Sequence, residues 1–165
     1  MMRDYNCPKL TEEEILNLAA RIAVQARIDY VKRSQIENLL TSVEIPSDQK
    51  NSPWVVALYA YRQAGRQEIG RGTADLIYEA MSRLSEAGGG KEDVRKLLGF
   101  VKWIYESFEK KEGKEEKPAE ILQQTIKRVL GKKEGKVDIR NLTFQDALKI
   151  LREIFSSRDG QHARL

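Results

Sequence analysis

The sequence predicts an all-α protein: a five-helix antiparallel bundle followed by a C-terminal two-helix extension. Three observations carry that expectation. Apolar residues recur at three- and four-residue spacing almost throughout. The 165 residues include only four prolines and eleven glycines, so long regular elements are expected. Helix-starting signals precede most of the periodic stretches.

Thr11-Glu12-Glu13-Glu14 has the form of a capping box, in which hydroxyl and carboxylate satisfy backbone N–H groups left open at a helix start. It opens a helix with Ile15, Leu18, Ala19, Ile22 and Ala26 on one face. Ser34-Gln35-Ile36-Glu37 repeats the signature before a short helix through Leu39, Leu40 and Val43. Residues 46–52 read as a loop. Ser52 and Pro53 then suit the cap and first position of a third helix. That helix is apolar almost all round from Trp54 to Tyr59, which predicts it as the central one.

Gly70-Arg71-Gly72-Thr73 breaks the third helix, and a fourth carries Leu76, Ile77, Ala80, Met81 and Leu84. Gly88-Gly89-Gly90 ends it, before a fifth helix from about Glu92 to Lys110 with Val94, Leu97, Leu98 and Val101 inward. Short loops favour antiparallel neighbours, so residues 1–112 are assigned to the bundle. Residues 113–165 form the extension. Glu109 to Lys117 reads as a charged linker, and Pro118 opens a helix with Ile121, Leu122, Ile126 and Val129. A basic loop, Gly131 to Lys136, follows. Thr143 and Asp146 then fit the cap of a last helix carrying Leu148, Leu151, Ile154 and Phe155, with Ser156 to Leu165 expected to fray. Two helices bury little area alone, so the extension should dock on the bundle or on a partner.

No apolar run reaches the roughly 18 residues of a membrane span, and the start lacks the apolar stretch of a signal peptide. Cys7 is the sole cysteine, which excludes an intrachain disulfide and suits a reducing compartment. The expected location is cytoplasmic. The net charge of +4 comes entirely from the extension: residues 1–112 hold 17 Lys/Arg and 17 Asp/Glu, residues 113–165 hold 12 and 8.

Catalytic candidates are few. His162 is the only histidine and falls in the expected tail, so neither a Ser-His or Cys-His pair nor a histidine-based zinc site is expected. Gly-rich phosphate loops of known spacing are absent, and the Gly70–Thr73 glycines are more simply a helix junction. Glu12, Glu13 and Glu14 answer the helix dipole. The expectation is a protein that is not an enzyme and takes no cofactor or metal.

Binding candidates are clearer. Arg62 and Arg66 lie one turn apart on the third helix, and Arg71 follows just past its end. They either pair with acids of a neighbouring helix or present planar forks to phosphate oxygens. Lys32 and Arg33 precede the Ser34 cap beside open backbone N–H groups, a combination suited to a phosphate, and Gln35 could bond a ribose or phosphate. Lys91, Arg95 and Lys102 read as ordinary surface. Trp54, Tyr61 and Trp103 fall off the main apolar stripes and are candidate protein-interface anchors.

Several stretches resemble one family. Lys32-Arg33-Ser34-Gln35-Ile36, Leu58-Tyr59-Ala60-Tyr61-Arg62-Gln63-Ala64-Gly65-Arg66 and Leu98-Gly99-Phe100-Val101-Lys102-Trp103-Ile104-Tyr105 are similar, in order and spacing, to segments of the Csm-type small subunits of type III CRISPR–Cas effector complexes. The resemblance covers residues 12–110. It implies a five-helix protein without nuclease activity, present in head-to-tail copies that form a filament with the other subunits along guide RNA and target RNA. It would contact RNA backbone without reading sequence. The motif match carries that role onto Lys32, Arg33, Gln35, Arg62 and Arg66. Glu37 stands where the family often has arginine, and the stretch from about 113 has no counterpart there. The competing expectation is a helical protein–protein adaptor with no nucleic-acid contact. A DNA-reading helix at Ser34 is disfavoured, because Glu37 and Glu44 would face the DNA.

Overall fold

The computed structural model describes residues 9–108, 118–131 and 139–163, and is all-helical over them. The helices are α1 (Glu12–Ile28), α2 (Arg33–Ser42), α3 (Ser52–Gly65), α4 (Arg71–Glu86), α5 (Lys91–Ser107), α6 (Pro118–Leu130) and α7 (Phe144–Ala163). Short 3-10 turns span Gln49–Asn51 and Ile139–Asn141. Cys7, the 109–117 linker and most of the basic loop, 132–136, lie outside the described residues.

Two helix starts form as their sequences predict. Thr11 N donates to Glu14 Oε1 (3.0 Å) and Glu14 N to Thr11 Oγ1 (3.1 Å). At α7, Asp146 N donates to Thr143 Oγ1 and Thr143 N to Asp146 Oδ2, both at 3.1 Å. Two other starts differ. Lys32, not Ser34, occupies the cap of α2, so Ser34 sits inside the first turn. Asn51, not Ser52, precedes α3, because the buried Ser52 hydroxyl turns inward and donates to Val43 O (3.2 Å).

The central helix is α1 rather than α3. It packs against α4, α5, α6 and α7, and Ala19, Ala20, Ala23 and Ala26 are fully buried, their small side chains letting neighbours close in on several sides. α3 instead turns Trp54, Leu58 and Tyr61 outward. Ile22, Leu39, Ile77, Met81, Leu97 and Ile126 are among the largest fully buried side chains. Each contributes about 1.5–3 kcal/mol relative to exposure, before ordering entropy.

The C-terminal helices dock on α1. Arg21 Nε donates to Leu142 O (2.7 Å) and Phe144 N donates to Asn17 Oδ1 (2.7 Å). Leu122, Ile126, Leu142 and Ile150 join the same buried cluster as the α1 residues. The expected frayed ending from Ser156 is instead helical backbone as far as Ala163, with His162 in its last turn. Ala147, Ile150, Leu151 and Ile154 hold this helix to the core along one stripe. Among the described residues no helix is long and apolar enough to cross a membrane.

Candidate nucleic-acid interface

One end of the molecule collects the predicted basic residues. Here α1 and α3 end and α2 and α4 begin, and buried polar contacts fix the arrangement. Arg62 Nη1 donates to Gln63 Oε1 (2.9 Å), and Gln63 Nε2 donates to Gln35 Oε1 (2.8 Å). That chain ties the last turns of α3 to the first turn of α2, which carries Lys32 and Arg33. Asp29, closing α1, accepts from Thr73 N (3.1 Å) and Thr73 Oγ1 (2.7 Å), bringing the start of α4 and Arg71 to the same end.

The predicted site residues divide here. Arg62, Arg66 and Arg71 are exposed, and none lies within ion-pair distance of a described carboxylate. Lys32 is exposed at the α2 cap. Arg33 is held by Glu106 at 2.5 Å, so only part of its charge is offered outward. Gln35 does not belong to the surface: at 8% exposure it is spent on the bond from Gln63, and the ribose or phosphate contact expected of it is not available. The loose phosphate site at Gly70–Thr73 is likewise filled by the Asp29 carboxylate.

The acids of this end are mostly engaged: Asp29 by Thr73, Glu106 by Arg33 and Asp75 by Tyr61, whose hydroxyl donates at 2.6 Å. Glu68 lies exposed in the loop between α3 and α4. The Asp75 hydrogen bond, then desolvation and the carboxylate charge, push the Tyr61 hydroxyl up to about 12. It therefore remains a neutral donor at physiological pH. Several cations elsewhere are committed. Arg83 pairs with Glu14 and Lys96 with Glu12. Lys91 and Arg95 both reach Glu44, and Lys102 meets Glu37.

Beside the arginines, α3 and α4 run as an opposed pair with an aromatic outer face. Trp54, Tyr61 and Tyr78 are all partly exposed, and Tyr78 stands 6.4 Å from Trp54 and 6.1 Å from Tyr61 between ring centroids. Leu58 is 68% exposed on the same face of α3. Residues 54, 58, 61, 62 and 66 follow helical spacing, so Arg62 and Arg66 continue the exposed stripe, not the buried one. Tyr78 and Leu58 were not expected at this surface. The signal for Tyr78 is its spacing from Arg71 and Asp75, one helix face in steps of four and three.

Trp103 lies apart, on α5. It is 70% exposed and, with Leu16, Phe100, Phe144, Leu148 and Leu151, lines an apolar groove of about 280 Å³ between α1, α5 and α7. The three expected anchors thus form two surfaces: Tyr61 lies near the arginine end, Trp54 shares its outer face from the first turn of α3, about 12–18 Å along the helix from Arg62 and Arg66, and Trp103 lies elsewhere. Among the described residues no three His, Cys, Asp or Glu side chains gather into a group that could hold a metal. Compared with known proteins, the chain matches no family model, no curated protein and no solved structure.

Proposed function

We propose that this chain is a non-catalytic, cytoplasmic small subunit of a type III CRISPR RNA-guided interference complex. In this reading copies associate head to tail beside the other subunits, and each contacts the guide and target RNA backbone without reading sequence. It takes α1–α5 as the family's five-helix antiparallel bundle and α6–α7 as an added piece. The observation that carries it is the set Arg62, Arg66 and Arg71, gathered with Lys32 at one end and left without described carboxylate partners. Exposed guanidinium forks without a described carboxylate partner are suited to phosphate oxygens.

The test is binding of the full chain to a labelled single-stranded RNA across a range of salt concentrations. Affinity is expected to be weak and to fall steeply with salt, as counterions are released. Arg62→Ala with Arg66→Ala should lower affinity and flatten the log–log slope by roughly 1.4, at about 0.7 per neutralised phosphate on a single strand. Unchanged binding by the double variant would remove the assigned site.

A second reading is favoured by the Trp103 groove: a helical protein–protein adaptor with no nucleic-acid contact. Large apolar side chains rimmed by polar residues are typical anchors for a partner. That reading predicts no RNA binding at low salt and a protein partner retained after the same arginine substitutions.

A further inference from the structure

The arginines explain attraction to a polyanion, but not the three rings beside them. Trp54, Tyr78 and Tyr61 are 43%, 46% and 40% exposed, on the surface that also carries Arg62, Arg66 and Arg71. The rings are tilted 47° and 52° to one another, so they do not cover each other's faces. Tyr61 is also anchored at its hydroxyl by Asp75. A ring with a fixed direction and an open face loses little freedom when something flat settles on it.

We propose that the row Trp54–Tyr78–Tyr61 is a stacking platform for unpaired bases, so that this surface takes single-stranded RNA in preference to duplex. The proposal rests on the RNA-binding reading above and specifies its ligand. Charge and spacing both select the occupant. A chain of phosphates carrying flat bases matches a face that joins guanidinium groups to aromatic rings. The centroid spacings of 6.4 and 6.1 Å are nearly twice the ~3.4 Å rise per nucleotide of a stacked strand. A duplex, its bases already stacked at the shorter rise, cannot place successive bases on successive rings. An extended single strand can, while its backbone runs onto the arginine end.

The experiment compares three probes by titration of the full chain at low salt: an oligouridylate, an RNA duplex of equal length, and inorganic polyphosphate, which has the charge but no bases. The wild type should bind the single strand more tightly than the duplex. Trp54→Ala and Tyr78→Ala should each weaken oligouridylate binding by about fivefold to a hundredfold and leave polyphosphate binding unmoved. Tyr78→Phe keeps the ring and should bind as the wild type does. With Trp103→Phe, Trp54 is the remaining tryptophan, and its emission should fall as the single strand binds.

Equal affinity for strand and duplex, or alanine variants that bind oligouridylate unchanged, overturns the platform and leaves the backbone reading standing. An equal loss toward polyphosphate also overturns it, since the rings would then only support the arginines. A wild type that binds no RNA removes the proposed function, and the platform with it.

Discussion

Asp29 shows how one side chain can set the geometry of a whole end of the molecule. It follows the last residue of α1, yet its Oδ2 caps α4, 44 residues away, while its Oδ1 accepts from Gln25 Nε2 at 2.9 Å. Gly70, the residue before α4, is required by proximity: a Cβ there would sit 2.3 Å from Asp29 Oδ2. Its own φ of −66° would suit any residue. Gly70→Ala must therefore displace the carboxylate and lose the cap, a cost of about 0.5–2 kcal/mol. Asp29→Ala should cost a similar amount, and the double variant little more than either alone, because the two act on one contact. Additive losses in thermal denaturation would show that glycine serves α4 in some other way. The sequence at Gly70–Thr73 reveals a helix break but not this reason for it, since Asp29 is distant along the chain. Gln35 misleads for the same cause. It reads as a surface polar group in a first turn, and only its distant partner Gln63 makes burial tolerable.

At the scale of elements, α2 and α5 are joined at their surface by charge. Glu44, just past α2, receives two Arg95 hydrogen bonds at 2.7 Å, and Lys91 lies 3.9 Å away. The Arg95 hydrogen bonds outweigh the opposing desolvation and, helped by the Arg95 and Lys91 charges, hold the Glu44 carboxyl below its ordinary value. A carboxylate with a folded-state value below its unfolded one adds stability above the unfolded value, and that stability disappears as pH falls through the folded one. Arg95→Ala should therefore lower the melting temperature slightly at neutral pH and not at a pH below the carboxylate range. The difference should also shrink in high salt, because the pair is exposed. A loss independent of pH and salt would assign the effect to Arg95 packing. The helices themselves were largely legible, because a stripe at three- and four-residue spacing is local information. Their rank in the core was not. α1 holds the centre through alanines, which carry little apolar weight in a sequence. The conspicuous Trp54-to-Tyr59 run belongs to a helix that faces outward.

At the scale of the whole molecule, the charge surplus and the candidate interface lie in different places. The extension supplies the excess cations, whereas Lys32, Arg62, Arg66 and Arg71 belong to a neutral stretch of chain. Composition alone would therefore direct attention to the extension and away from this end. What the extension visibly does is cover α1. It buries Leu122, Ile126, Leu142 and Ile150 and supplies the carbonyl that Arg21 donates to. Burial there also holds the Arg21 guanidinium below its ordinary value, so that carbonyl contact offsets a real desolvation cost. A chain ended at residue 112 should thus melt well below the full chain. Four large aliphatic side chains at about 1.5–3 kcal/mol each give the scale of the loss, reduced by the ordering entropy of the extension. The bared α1 surface should bind more of a hydrophobic dye than the full chain does. RNA affinity, measured at a temperature where the shortened chain remains folded, should fall little, because the arginine end is built from α1 to α4. A large loss of affinity with folding intact would move the principal RNA contact from that end to the basic extension.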